Sequence, residues 1–241
     1  MPSDEHTIIS PAILYWGTPV VLITSENEDK TSNIAPMSSA WWLGHSCVLG
    51  LAASSKTTQN ILRTKECVLN LASDSMAEYV NKLALTTGSN PMPEFRVIGG
   101  YSYVKDKWTR AGLHPQPSDF VTPPRIAECP VQMECQVVQV NELRKDTPDL
   151  NGLILAIEVR VLRIHVVKSL RMEGYANRVD PDKWRPLIMS FREYYGLGQG
   201  KVFESKLGEG SEEYYRLLTK SDVVKLPGDD DAEVAATKGN A

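Results

Sequence analysis

Apolar residues along this chain recur mostly at strand spacing. Ala12 to Ser25, AILYWGTPVVLITS, is rich in β-branched and aromatic residues, and the polar NEDKTSN behind it has the composition of a reversing turn. Asn33 to Pro36 continues as a short strand towards MSSAWWLG, and Cys47 to Ala52 is a third apolar run, bounded by Gly and Ser. All are too short for ordinary helices. From Thr57 to Thr64, polar residues surround Ile61 and Leu62, which predicts a short helix, and CVLNL at Cys67 to Leu71 resumes the strand pattern. Met76 to Leu85 sets Met76, Tyr79, Val80 and Leu83 on one helical face, and TTGSNPMPE after it is a loop by its Gly and Pro content.

Two later runs are longer. Val131 to Val140, VQMECQVVQV, alternates at period two, and Leu153 to Val167 does so for longer, with Ile157, Val159 and Val161 on one face. NELRKDTPDLNG joins them as a hairpin connection. Between the early and late strands, Tyr101 to Arg125 holds several prolines and little periodicity, so it is expected to be a long excursion packed over the body; long ordered loops often carry function. From Lys225 the tail KLPGDDDAEVAATKGNA is acidic and small, the composition of a disordered segment. Strands outnumber helices and no repeat of fixed period is visible. Closing such a sheet removes its exposed edges, so the expected fold is mainly β, an antiparallel barrel with peripheral helices.

Composition narrows the partners. A chain of 241 residues, 42% hydrophobic and 23% charged, can bury a real core. Its formal net charge of −4 speaks against a nucleic-acid footprint, which needs clustered cations, and leaves a small molecule as the expected partner. Cys47, Cys67, Cys129 and Cys135 show neither CxxC spacing nor a dense framework, so buried reduced thiols are expected, with no metal. The leader MPSDEHTIIS carries two acids, and no run approaches the roughly 18 apolar residues of a membrane span, which points to a cytoplasmic protein without a membrane partner. GxSxG, HExxH and GxGxxG are all absent, so a hydrolase lacks its nucleophile and orienting base.

The chemistry concentrates in AASSKTTQNIL, Ala52 to Leu62. If the preceding run is a strand and the following one a helix, Ser54 to Thr58 occupies a turn whose first backbone N–H groups have no intrahelical acceptor. Hydroxyls and the cationic Lys56 beside those donors suit a phosphate, by dipole, backbone and charge together. Equally, Ser55 can simply cap the helix and Lys56 be solvated. The paired glycines and GK[ST] order of a triphosphate loop are missing, so a monophosphate fits better. A second stretch, NIAPMSSAWW from Asn33 to Trp42, sets small residues and hydroxyls beside paired tryptophans. It suits a flat, partly polar ring, or else it is a strand end whose tryptophans belong to the core.

Together the two stretches resemble the flavin reductase-like, FMN-binding split-barrel family, including its flavoredoxin-type members. The resemblance extends from Pro11 to about Gly198, through GTPVVLIT, AECPVQMEC and NRVDPDKWRPLIMSFREYYGLG. It implies a polar leader over 1–10, a split-barrel domain over 11–200, an extension over 201–225 and the acidic tail over 226–241. It also implies that Ser54, Lys56, Thr57, Thr58 and Asn60 serve the phosphate and ribityl end of FMN. Met37, Ser38 and Ser39 would then present amides and hydroxyls to the ring's polar edge, where they can stabilise negative charge on the reduced flavin, and Trp41 would cover the ring or its entrance. Such proteins are commonly homodimers with FMN near the interface, and Asn177, Arg178, Asp180, Arg185 and Tyr195 are candidates for dimer or pocket contacts or for a structural ion-pair network. The activity implied is transfer of electrons from NADH, NADPH or another reductant through FMN to free flavin or a small organic acceptor. Alternatives are an FMN-binding electron carrier or flavin-delivery protein, and a flavin pocket repurposed for a biosynthetic substrate.

The chain departs from the family where many reductases carry a GDH-containing strand, whose histidine lies near the nicotinamide. Here Asn151-Gly152-Leu153-Ile154 precedes Ala156-Ile157-Glu158-Val159. Hydride transfer to flavin depends mainly on stacking and distance, so the missing imidazole questions nicotinamide use without excluding it. His165 and His45 are the weak catalytic candidates. Alternation does not fix the face of His165, and His114 lies in the excursion among neighbours with no base-orienter pattern.

Overall fold

In the computed structural model, which describes residues 6–198, 200–209 and 212, alternation builds one seven-stranded sheet and the loops build what surrounds it. The strands are β1 (Trp16–Pro19), β2 (Val21–Glu26), β3 (Ser32–Met37), β4 (Ala40–Leu43), β5 (Ser46–Ala52), β6 (Glu66–Leu71), β7 (Thr86–Thr87), β8 (Ser102–Tyr103), β9 (Pro115–Gln116), β10 (Arg125–Ile126), β11 (Val131–Glu142), β12 (Ile154–Val166), β13 (Ile188–Ser190) and β14 (Glu193–Tyr195). The helices are α1 (Lys56–Thr64), α2 (Ala77–Asn81), α3 (Glu94–Ile98) and α4 (Lys107–Ala111). The large sheet runs β3-β2-β6-β11-β12-β5-β4, antiparallel throughout. Its two edges, β3 and β4, are consecutive in the chain and meet at Ser38-Ser39 with no ladder between them. The result is an antiparallel split barrel, as the sequence led one to expect.

Inward residues of six strands, among them Val21, Ile23, Leu49, Leu51, Leu69, Ile157 and Val159, form the barrel core. The other face of β2 and β3 presents Leu22 and Ile34, with Val20 just before β2, to a second core with Val80, Leu83, Ala111, Leu113 and Ile126. That explains why every residue of β2 is buried, the apolar Val21 to Ile23 and the polar Thr24 to Glu26 alike: the strand is covered on both sides. The second core also gives the excursion its role. Tyr101 to Arg125 contains α4 and the short strands β8 and β9 and ends where β10 begins, and it packs over the outside of β2 and β3.

Two local details differ from the sequence pattern. The helix expected over Met76 to Leu85 is regular only from Ala77 to Asn81, and Leu85 turns at positive φ, +52°, to enter β7. The β11–β12 ladder slips between Glu134 and Cys135, so that Cys135 faces Val161 while Glu134 faces Arg163. An added residue on one strand of a pair inverts the alternation beyond it. Val161 and Val166 therefore both belong to the barrel core, while His165 lies on the outer side next to Glu134.

All four cysteines are free and buried. Burial pushes the Cys47 thiol up to about 12, and Cys135, which faces Cys67 across the ladder, is raised well above the usual thiol range for the same reason. Among the described residues no helix is long and apolar enough to cross a membrane. Residues 1–5 of the leader, most of the 201–225 extension and all of the 226–241 tail lie outside the described residues.

Candidate functional site

β5 ends at Ala52, and the chain turns through Ala53 and Ser54 into α1. Ser55 is the N-cap: its Oγ accepts the Thr58 amide at 3.1 Å and contacts the Thr58 hydroxyl at 2.7 Å. The Thr58 hydroxyl also donates to the Ala52 carbonyl at 2.8 Å. Those two side chains are thus taken up in closing the turn. Thr57 and Asn60 also point inward. The Asn33 amide donates to the Thr57 hydroxyl at 3.0 Å, and the Asn60 amide donates to Asn27 Oδ1 at 2.8 Å and Ser25 Oγ at 3.2 Å. Arg63 bonds the Glu26 carbonyl. A row of polar contacts therefore fixes α1 against the β2–β3 hairpin.

What remains at the surface of the turn is the Ser54 side chain and the tip of Lys56, whose side chain is only 17% exposed. Ser54 is exposed, and Lys56 reaches the Glu28 carboxylate, whose pKa it holds below the usual range through that hydrogen bond. With Thr58 capped, the amides of Lys56 and Thr57 are the first-turn donors without an intrahelical acceptor. The positive end of the helix dipole adds to the Lys56 charge at this point. Anion binding is what such an arrangement does chemically.

The second stretch meets the first at two places. Asn33, at the start of β3, makes the bond to Thr57 described above. At the other end, the Ser39 carbonyl accepts the Gly50 amide at 2.8 Å, and a Cβ on Gly50 would stand 3.1 Å from the Ser39 Cβ. Only glycine allows that crossing without displacement. Ser39 Oγ is within 2.9 Å of the Tyr15 hydroxyl, Ser38 is buried and Met37 packs on the barrel core. The structure thus brings Met37, Ser38 and Ser39 alongside the strand that leads into Ser54.

A third segment joins them, the loop after β7. A Cβ on Gly88 would lie 2.7 Å from Asn33 Oδ1 and 3.2 Å from Lys56 Cγ. The loop therefore touches both stretches, with Thr87 and Ser89 buried on either side. Sequence reasoning marked TTGSNP only as a loop. Its glycine was the available signal, since backbone that approaches other chain segments this closely favours the residue without a Cβ.

The remaining candidates lie elsewhere. Trp41 is 57% exposed on the outer side of edge strand β4, whereas Trp42 packs on the core with a buried indole N–H that meets no acceptor among the described residues. His45 sits in the β4–β5 hairpin, separated from Ala52 by the whole of β5, on the order of 20 Å of strand. His165 Nε2 lies 2.7 Å from Oε1 of Glu134, a fully buried carboxylate that also accepts the amides of Asp119 and Phe120. That group holds the excursion onto β11. His114 pairs with Glu128. In the late segment, Asp180 pairs with Lys183 and Arg178 with Glu212. Arg185 is bound by Asp74 and by the Gly198 and Leu197 carbonyls. Asn177 and Tyr195 are exposed. Behind the site, the buried Lys107 donates to the Ile34 carbonyl at 2.9 Å.

Comparison with known proteins agrees with this architecture. An uncharacterized protein of Bacillus subtilis, YdfE, is 39% identical over 200 residues, covering 82% of this chain and 93% of its own. Among solved structures, flavoredoxin of Desulfovibrio vulgaris (Miyazaki F) superposes with a TM-score of 0.66 at 19% identity, covering 85% of this chain and 99% of its own. Nitrilotriacetate monooxygenase component B from Bacillus cereus does so at 0.61 and 20% identity, over 78% and 88%. The model of the flavin reductase like domain matches residues 15–198, which takes in the barrel, the three converging segments and the late hairpin, and the chain belongs to that family.

Proposed function

We propose that this protein is an FMN-dependent oxidoreductase of the flavin reductase type, with the phosphate at the Ser54–Lys56 turn and the ring along Met37 to Ser39. The observation that carries the reading is the meeting of both stretches and the Gly88 loop around Asn33 and Lys56. In this reading Lys56, Ser54 and the amides of Lys56 and Thr57 hold the phosphate. Thr57, Thr58 and Asn60 act one step behind, by fixing the turn. Amides and hydroxyls from Met37 to Ser39 face the polar edge of the ring and oppose negative charge on it. Bound FMN supplies the redox chemistry, between NADH or NADPH and a free flavin or small organic acceptor. The residues bind, orient and shield.

Lys56→Ala is expected to weaken FMN binding by about 1 to 3 kcal/mol, roughly 5- to 150-fold in Kd, the scale of a lost charge-assisted hydrogen bond. Fluorescence titration of the apoprotein with FMN measures it, and an unchanged Kd would leave Lys56 as the partner of Glu28 alone. A colourless protein that does not bind added FMN would remove the reading altogether.

A second reading, an FMN-binding carrier that does not turn over nicotinamides, is favoured by the stretch Asn151-Gly152-Leu153-Ile154, which carries no histidine where many reductases have a GDH-containing strand. The Leu153 carbonyl accepts the Ala53 amide at 2.9 Å, directly before the turn. Steady-state oxidation of NADH and NADPH with FMN present separates the two.

Homodimerisation belongs to the same proposal. Trp41 and Leu43 are 57% and 67% exposed on the unpaired edge of β4, and apolar side chains on an open strand edge are suited to a second copy. Light scattering is expected to give twice the chain mass, and Trp41→Arg to shift it towards the monomer; a monomeric wild type would refute this.

A further inference from the structure

On the outer face of the barrel the excursion crosses one rung of the sheet, in which Glu134 faces Val68, Val68 faces Thr24 and Thr24 faces Ile34. Polar posts hold it there. Lys107 donates to the Ile34 carbonyl at 2.9 Å, and the Thr24 hydroxyl donates to the Pro124 carbonyl at 2.6 Å. At the far end of the rung Asp119 comes down on Glu134 and His165.

Three metal-ligating side chains meet at that point. One oxygen of Asp119, one of Glu134 and one ring nitrogen of His165 lie within 4.8 Å of one another, the one such group of three among the described residues. Glu134 is fully buried, and the Asp119 and Phe120 amides fix its carboxylate. The slip in the β11–β12 ladder is what sets His165 beside it. The side chains of Asp119 and His165 are 43% and 22% exposed, so the group opens to solvent on one side.

Hydrogen bonding alone does not complete this group. A proton on His165 Nε2 serves Glu134 Oε1 at 2.7 Å, and the same nitrogen is 3.9 Å from Asp119 Oδ2, beyond hydrogen-bond reach. Arg163, through its hydrogen bond, holds the Asp119 carboxyl below the usual carboxylate range. With a neutral imidazole, two carboxylates therefore face the single Arg163 guanidinium in contact with them, and negative charge is left over. A divalent ion answers both the gap and the charge. Bonds of ~2.1 Å in a tetrahedron put ligand atoms ~3.4 Å apart, and the separations here, 2.7 and 3.9 Å, lie on either side of that. Imidazole beside carboxylates suits zinc and its transition-metal neighbours, whereas magnesium and calcium take oxygen ligands.

We propose that Asp119, Glu134 and His165 form a binding site for a zinc-type divalent cation, with water at the open position, which pins the excursion to β11 and β12. The ion replaces the proton on Nε2, which leaves to solvent. Arg163 yields Asp119 to the ion and keeps the Phe120 ring, over which it lies at 4.2 Å. No motif announces the site, because its ligands stand 15 and 31 positions apart in the chain.

The test is titration of the untagged full-length protein with Zn²⁺ after chelator treatment, followed by calorimetry and by thermal unfolding. One equivalent is expected to bind and to raise Tm, and titration in two buffers of different ionisation enthalpy is expected to show proton release. His165→Ala and Asp119→Asn are each expected to weaken binding by at least about tenfold and to abolish the rise in Tm. His114→Ala, at the exposed pair with Glu128, is expected to change neither. If His165→Ala does not unfold cooperatively without zinc, the Asp119→Asn variant decides. No binding, equal affinity for Mg²⁺, undiminished binding in Asp119→Asn, or loss of binding in His114→Ala would each overturn the proposal and leave a network held by a proton alone. Neither titration nor melting needs a flavin, so failure here is distinguishable from failure to bind FMN.

Discussion

Glu134→Ala is expected to lower the unfolding free energy by about 3 to 5 kcal/mol, the range for removing one partner of a buried charged network. Glu134 is fully buried. Its two oxygens accept the Asp119 amide at 2.9 and 3.0 Å, the Phe120 amide at 2.6 Å and lie 2.7 Å from His165 Nε2. Deleting the carboxylate takes away the acceptor shared by the Asp119 and Phe120 amides and the partner of His165, and leaves an empty space where a fully buried side chain stood. Arg163 does not compensate, because its guanidinium is already committed to Asp119 and the Phe120 ring.

Glu134→Gln retains one acceptor oxygen and is expected to cost clearly less than the alanine variant. Urea denaturation of both variants measures the difference. Hydrogen exchange at the Asp119 and Phe120 amides adds a local readout: protection there is expected to fall first. A loss under 1 kcal/mol with protection intact would show that the excursion is held by its other contacts, apolar and polar, without Glu134.

That clamp also shows where local sequence stops being informative. The long strands β11 and β12 were legible because alternation over ten or more residues has one good solution. The ladder slip beside Glu134 was not, since Leu162 looks like any other strand residue and the slip appears only when β11 is laid against β12. One inserted position decided the face of His165.

Direction was the missing quantity in the candidate site as well. The crowding of hydroxyls in SSKTTQN was plain, but counting them could not tell that Ser55 and Thr58 close the turn while Thr57 meets Asn33. Ser54 and Gln59 face out, while Lys56 is mostly buried with its ammonium on Glu28. In AWWL the pair of tryptophans was legible, and strand alternation sent Trp41 outward and Trp42 to the core. Gly88 carried the faintest signal of all, because its reason for being glycine is a contact with residues 33 and 56, far away in sequence.

The second large effect is a pH dependence carried by Lys107. This side chain is 3% exposed, with its ammonium on the Ile34 carbonyl. Burial, with a smaller contribution from the nearby Arg96 charge, lowers its pKa from 10.5 to about 8. The unfolded chain therefore binds more protons than the folded one between those two values, so the Lys107 contribution makes stability rise with pH across that window. The full difference is on the order of 3 kcal/mol, of which roughly 1 kcal/mol falls between pH 7 and pH 9. Buried thiols oppose it higher up: Cys47, raised to about 12, makes stability fall above the ordinary thiol range. The clean measurement is thus the difference between wild type and Lys107→Met, by denaturant unfolding at pH 7, 8 and 9. The methionine variant is expected to lose ground to wild type by roughly 1 kcal/mol over that interval, and parallel curves would mean that Lys107 keeps its proton in the folded state throughout. The direction also bears on the site, because Ile34 adjoins Asn33, and loss of the proton above pH 8 takes a positive charge away from behind the strand on which the candidate cradle is built.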